Sequence, residues 1–213
     1  MDEEASRSRE LEQFFRAWGD GDYAKADKIW LSILEWKQKE PSVSNMFDSM
    51  GARCWFQEEK KTNDKLDFKK ILERLRQLTA KKLGANHRFV GEFDRKLAMY
   101  ADGMGDPDKA AVLWGKQVQC CDKCLAAKPH EFEKTVSGSL REALSKQAHA
   151  YMKLKNYAKA EPILARGMAV SQKAGDGVNF RRCATDMIAL LDATGRGAQA
   201  KQIKARYGKI LRD

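Results

Sequence analysis

Apolar residues recur at helical spacing along almost the whole chain. Leu11, Phe14, Phe15 and Trp18 share one face of a predicted helix, and so do Leu97 with Tyr100, Leu144 with Ala148 and Tyr151, and Met187 with Leu190 and Leu191. A second set follows the same rule: Ile29, Trp30, Ile33 and Leu34; Ile71, Leu72, Leu75 and Leu78; Val112, Leu113 and Val118. No stretch rich in β-branched residues alternates as a strand would. Pro41, Pro129 and Gly175-Asp176-Gly177 interrupt the pattern as helix breakers. The pattern therefore predicts an all-α chain whose helices come in pairs.

The pairs repeat. Gly21-Asp22-Tyr23-Ala24-Lys25-Ala26, Gly105-Asp106-Pro107-Asp108-Lys109-Ala110, Lys155-Asn156-Tyr157-Ala158-Lys159-Ala160 and Gly195-Arg196-Gly197-Ala198-Gln199-Ala200 each read as a tight turn, a helix start and an alanine at a fixed place. The alanines stand 84, 50 and 40 residues apart, and since 84 is twice 42, a further repeat is expected near residue 68. There Asn63-Asp64-Lys65-Leu66-Asp67-Phe68 reads as the turn, with Phe68 in the alanine's place. Five repeats result, over about 5–41, 44–84, 89–128, 139–175 and 178–212, forming one domain from 5 to 212. One helix pair cannot bury both of its apolar faces, whereas stacked pairs cover one another, which is the logic of a solenoid.

Gly21, Tyr23, Ala26, Trp30 and Pro41, and again Lys155 through Leu164, resemble the tetratricopeptide repeat (TPR). The spacing near 42 is similar to the longer-helix type of kinesin light chains rather than to the basic form of about 34 residues. The resemblance covers roughly residues 5–212. It rests mainly on period in the second repeat and is weaker in the fifth, where Gly197 and Lys204 replace aromatic positions. Phe14, Phe56 and Ile188 stand where that family prefers a small residue. The resemblance implies a right-handed superhelical α-solenoid of about five helix-turn-helix repeats, with the first helix of each pair lining a concave groove. In this chain the groove would present Leu11, Phe15 and Trp18; Met50, Arg53, Gln57 and Lys60; Glu92, Arg95, Lys96 and Met99; Ser145, Lys146, His149 and Met152, with Lys153 beside them; then Arg182, Thr185, Asp186 and Ala189. An apolar end followed by a basic middle suits an extended or helical peptide with acidic residues and one apolar anchor. The family's carboxylate clamp is not expected, because Gln57, Met99 and His149 occupy its places and its asparagine is missing.

Charge adds a rival. The chain carries 40 Lys and Arg against 30 Asp and Glu, a formal net charge of +10. Lys69, Lys70, Arg74, Arg76, Lys81, Lys82 and Arg88 cluster on a second helix, and Lys201, Lys204, Arg206, Lys209 and Arg212 on the last. Such stripes fit nucleic acid or another polyanion, although no aromatics are interleaved for base stacking. A solvated face is the plainer reading of the cluster at 69–88. An apolar stripe of Ile203, Tyr207, Ile210 and Leu211 on the last helix would either dock back or pair with a second copy.

The remaining chemistry is sparse. Cys121 and Cys124 form a C-x-x-C, with Cys120 beside them, but no second ligand pair follows at zinc spacing, so structural thiols are expected and no metal or cofactor. Cys54 and Cys183 bring the thiols to five, an odd number that fits a reduced, cytoplasmic setting. The three histidines, His87, His130 and His149, belong to no catalytic motif. No apolar run is long enough to span a membrane, and the acidic start Met1-Asp2-Glu3-Glu4 does not read as a secretory signal. The expectation is a non-enzymatic adaptor that binds a protein or peptide.

Overall fold

A computed structural model describes residues 3–37, 67–127 and 133–212. Among these residues there are nine helices and no strand: α1 (Glu3–Gly19), α2 (Tyr23–Lys37), α3 (Phe68–Leu83), α4 (Arg88–Gly103), α5 (Pro107–Ala127), α6 (Glu133–Lys153), α7 (Tyr157–Lys173), α8 (Gly177–Ala193) and α9 (Gly197–Arg212). Two compact units are formed, Met1–Lys96 and Leu97–Asp213. The predicted first helix of the second repeat, with Met50, Arg53, Cys54, Phe56, Gln57 and Lys60, lies outside the described residues, as do Pro41, Pro129 and His130.

The turns share one construction. At Gly21, Gly105, Gly175 and Gly195 the backbone takes φ between 68° and 80°. The residue that follows donates its N–H back to a carbonyl of the preceding helix: Asp22 to Ala17, Asp106 to Ala101, Asp176 to Ser171 and Arg196 to Leu191, at 2.7–2.9 Å. A left-handed residue after the helix end lets orphan carbonyls be satisfied by the chain as it turns away. Lys155 makes the same turn at φ 55°, with Asn156 donating to Tyr151 at 2.9 Å. The next residue then caps the new helix. Asp22, Asp106, Asn156 and Asp176 accept from the backbone N–H of Lys25, Lys109, Lys159 and Asn179 at 3.0–3.3 Å.

Three residues into each second helix the fixed alanine is fully buried: Ala26, Ala110, Ala160 and Ala200 are all 0% exposed. The second repeat obeys the same rule in a different register from the expected one. Its helix starts at Phe68, and Asp67 is the cap, accepting from the Lys70 N–H at 3.1 Å. Phe68 thus takes the place of Tyr23 and Tyr157, and Ile71, also 0% exposed, takes the alanine's place. The 42-residue count had set the alanine's place at Phe68, three residues before Ile71, because the cap and not the count decides where the helix begins.

In the N-terminal unit Trp30 sits at the centre. It is fully buried, its ring lies 6.4 Å from that of Phe14 and 5.6 Å from that of Phe93, and its Nε1–H donates to Thr79 Oγ1 at 3.2 Å. Ion pairs tie α3 to its neighbours: Arg74 to Asp27, Lys82 to Glu35, and Arg76 to the buried Asp94 through two bonds of 2.6 and 3.2 Å. Four of the basic residues at 69–88 are thus paired with acids, counting Lys70 with Asp67, rather than presented as a bare stripe.

In the C-terminal unit, α5, α6, α7, α8 and α9 pack in succession, and α6 also touches α8. Like helices meet like helices across repeats: Asp122 of α5 pairs with Arg166 of α7, while Arg141 of α6 bonds the Asp176 cap of α8. Ala148, Leu164, Cys183, Met187, Leu190, Leu191 and Ala200 form the core cluster. The apolar stripe of α9 docks back: Ile203 packs on this cluster and the Tyr207 ring lies 4.9 Å from that of Phe180, leaving Ile210 39% exposed. Val112, expected on an apolar face, is 56% exposed. The packed side of α5 passes through Ala111, Leu113 and Trp114 instead.

Two glycine contacts make opposite predictions. A Cβ added at Gly167 would lie 2.7 Å from the Cys183 sulfur and 3.7 Å from Leu144 Cβ, inside a rigid core. Gly167→Ala should lower stability by about 1–3 kcal/mol despite the better helix propensity of alanine, and Cys183→Ala should recover part of the loss. At Gly115 the added atom meets only the end of the Gln147 side chain, which can swing aside. Gly115→Ala should be neutral or stabilising by up to about 1 kcal/mol. At Lys155 a glycine relieves the left-handed strain, so Lys155→Gly should stabilise by about 1 kcal/mol. Urea unfolding of each variant measures all three.

Candidate functional site

The groove residues expected from the sequence meet different fates. Trp18 is buried, its ring 4.9 Å from that of Tyr23 and 6.0 Å from that of Phe14. Phe15 is half-buried and packs against Phe14 and Phe68 at 5.3 and 6.4 Å. Leu11 is half-buried as well. Trp18, expected as an exposed anchor, is core, because the aromatic rings of the first repeat cover one another. Arg95 is also largely enclosed, pairing with Glu92 one turn earlier at 2.9 Å, with 16% of its side chain exposed. Lys96 is half-buried and Met99 is 37% exposed.

The fourth and fifth repeats behave differently. A cleft of about 350 Å³ lies between α6 and α8, lined by Ser145, Lys146, His149, Arg181, Arg182, Thr185 and Asp186. Six of these seven stand on the helix faces expected to line a groove. Lys153 is exposed one turn beyond His149 on the same helix. Arg181 is the residue that sequence reasoning missed; its only signal is that it precedes Arg182 in an adjacent pair.

Packing beneath the cleft sets its width. Gly167 of α7 brings that helix against the fully buried Cys183 of α8. Burial pushes the Cys183 thiol up to about 11, against the opposing effect of a hydrogen bond with Ser145. This thiol is protonated at neutral pH and structural. At the mouth of the turn, Asp176 binds Arg141 Nε at 2.8 Å and also the backbone and side-chain nitrogens of Asn179. Burial alone would raise its carboxyl, but the Asn179 and Arg141 donors outweigh that and hold it at about 2. α6 and α8 are thus fixed to each other by a charged clasp below the cleft.

The electrostatics of the lining are one-sided. Three cations, Lys146, Arg181 and Arg182, face one carboxylate, Asp186. Asp186 is turned to His149, whose Nδ1 lies 3.1 Å from its Oδ2; an ionised carboxylate only accepts, so the imidazole donates. Among the described residues no group of three or more His, Cys, Asp or Glu side chains could hold a metal ion, and no helix is long and apolar enough to cross a membrane. Cys120 and Cys121 are buried on α5, and Cys124 is half-buried.

Neither the known protein-family models nor the curated proteins include a match to this chain. Solved structures do match. The nearly identical TPR-like repeats of a protein from Podosopora anserina, described as of kinesin-light-chain kind, align over 99% of this chain and 97% of theirs with a TM-score of 0.57 and 17% identity. BtubC (BKLC) from P. vanneervenii aligns over 97% of this chain and 88% of its own with a TM-score of 0.58 and 16% identity. At this identity the likeness is one of fold, and the fold is that of TPR-like helical repeats.

The clasp beneath the cleft yields a pH prediction. A carboxyl held below its unfolded value of about 3.9 contributes stability above that pH and loses it as pH falls toward about 2. Asp176→Ala should cost about 1–3 kcal/mol at pH 7 through the lost cap and the lost partner of Arg141. The difference from the unaltered chain should shrink as pH is lowered from 4 to about 2, read from urea midpoints across that range.

Proposed function

We propose that the chain is a non-enzymatic interaction module of the adaptor type, working in the cytoplasm, which holds an acidic segment of a partner protein in the α6–α8 cleft. Residues 5–212 are taken as one array of repeats. The observation that carries this reading is the convergence of Lys146, Arg181 and Arg182 on one concave site where the single carboxylate is engaged by His149. TPR-like repeats serve generally as protein-interaction scaffolds, and the fold supports the class of function. Lys153, exposed on α6, extends the basic surface along which such a segment would run. Lys96 and Met99 on α4, and Arg53, Gln57 and Lys60 outside the described residues, are proposed as further contacts on the first-helix face.

The polyanion reading loses support from the ion pairs of α3, since Arg74, Arg76 and Lys82 each already hold a carboxylate. Self-association through α9 loses support from the docking of Tyr207 on Phe180.

The test uses a labelled acidic peptide, a 12-residue oligoglutamate, with the full chain. Lys146→Glu combined with Arg182→Glu should weaken binding at least about tenfold at unchanged thermal stability, because like charges now face the ligand. Lys69→Glu with Lys81→Glu should change it less than about threefold. The reverse order of effects would refute the cleft reading and restore the polyanion one.

A further inference from the structure

The chemistry of the cleft also specifies which anion it suits. Elsewhere in the C-terminal unit, arginines and lysines near an acid have taken it: Arg141 holds Asp176, Arg166 holds Asp122, Arg196 holds Glu161 and Lys204 reaches Asp192. Among the described residues, Lys146, Arg181 and Arg182 of the cleft make no such pair. Arg181 goes further, because its Nε is buried and has no hydrogen-bond partner. A buried guanidinium donor without an acceptor is unfavourable, and ligands that supply the acceptor recover that loss. Asp186, the one acid in the lining, is drawn to His149.

A single carboxylate brings one negative charge and two oxygens to these three cations. A phosphoryl group brings between −1.5 and −2 charges at neutral pH and three strong acceptor oxygens. Guanidinium forks match phosphate oxygens in pairs, and a lysine adds a compact point charge. Thr185, exposed on the same face, adds a neutral hydroxyl donor. A cleft of about 350 Å³ also has room for the group with flanking peptide. We infer that the α6–α8 cleft recognises a phosphoryl group, carried as phosphoserine or phosphothreonine on the acidic segment of the partner. This rests on the reading of the cleft as a partner-binding site. It makes that site one whose occupancy is set by a kinase acting on the partner.

The test compares three fluorescein-labelled peptides of one Glu/Gly sequence that differ only at the centre: phosphoserine, glutamate or serine. Binding to the full chain is followed by anisotropy at about 0.15 M ionic strength. The phosphoserine peptide should bind at least about tenfold more tightly than the glutamate peptide, and inorganic phosphate should compete. Arg182→Gln, at an exposed position, should reduce the preference to less than about threefold, and Arg181→Gln should do the same if it folds. In nitrogen-edited spectra the Arg181 Nε–H signal should move with phosphoserine peptide and stay in place with the serine peptide. Equal affinity for phosphoserine and glutamate peptides overturns the phosphoryl inference and leaves the acidic-segment reading standing. If none of the three peptides binds the folded chain, both fall. A phosphoserine preference that survives Arg182→Gln, with a motionless Arg181 signal, puts the phosphoryl site elsewhere and overturns the inference. So does retention on vesicles of anionic phospholipid without any preference among the peptides.

Discussion

The architecture depends on one steric constraint, the close meeting of two helices just after each turn. Ala26, Ala110, Ala160 and Ala200, at the same place in four second helices, have no exposed surface. A side chain as small as a methyl lets two paired helices approach closely at such a position. The turn chemistry serves this contact. A left-handed residue followed by a capping side chain fixes where the second helix begins, and the small residue three positions on then falls at the crossing. Where Ile71 takes the place of alanine, the second repeat keeps its cap and burial but fills the crossing with a larger group. That exchange explains why this repeat is hard to see by residue identity.

The same distinction separates what could be read from the sequence from what could not. Turns, caps and helix periods are local, and local chemistry is written in consecutive residues, so four of the five second-helix starts were legible as Gly-Asp or Lys-Asn or Gly-Arg before a helical run. The start at Phe68 was misplaced because a mean period was trusted over Asp67, the residue able to accept from the Lys70 N–H. The fate of Trp18 was not legible either. A tryptophan on the first-helix face can be an anchor or core, and only the positions of Phe14 and Tyr23 decide between them. Pairs such as Arg74 with Asp27 or Arg141 with Asp176 join residues on different repeats and leave no mark in the local pattern.

Those cross-repeat pairs change the meaning of the charge. A surplus of ten positive charges invites a polyanion, yet three of the six basic side chains on α3 pair with carboxylates of neighbouring helices. Exposed pairs of this kind contribute little individually, about 0–1 kcal/mol. Arg76 with Asp94 is different, because the carboxylate is 3% exposed and both of its oxygens are engaged. Removing Arg76 would strand a buried charge, so that pair specifies position even if it adds little net stability. Once these commitments are subtracted, Lys146, Arg181 and Arg182 remain together on the lining of the cleft between α6 and α8, with Asp186 its one carboxylate.

Concentration alone would not make a binding site, since three cations on mobile stems would simply separate. What distinguishes this cleft is that its walls are fixed from below. Gly167 lets α7 press on Cys183 of α8, and Arg141 of α6 grips the Asp176 cap where α8 begins. The two helices that carry Lys146, Arg181 and Arg182 are therefore held to each other by packing and by an ion pair. A ligand that brings negative charge meets cations already gathered on these two helices, so little of the binding energy is lost to reorganisation. Gly167, the small residue that lets α7 approach α8, thus also steadies the wall that carries Arg181 and Arg182.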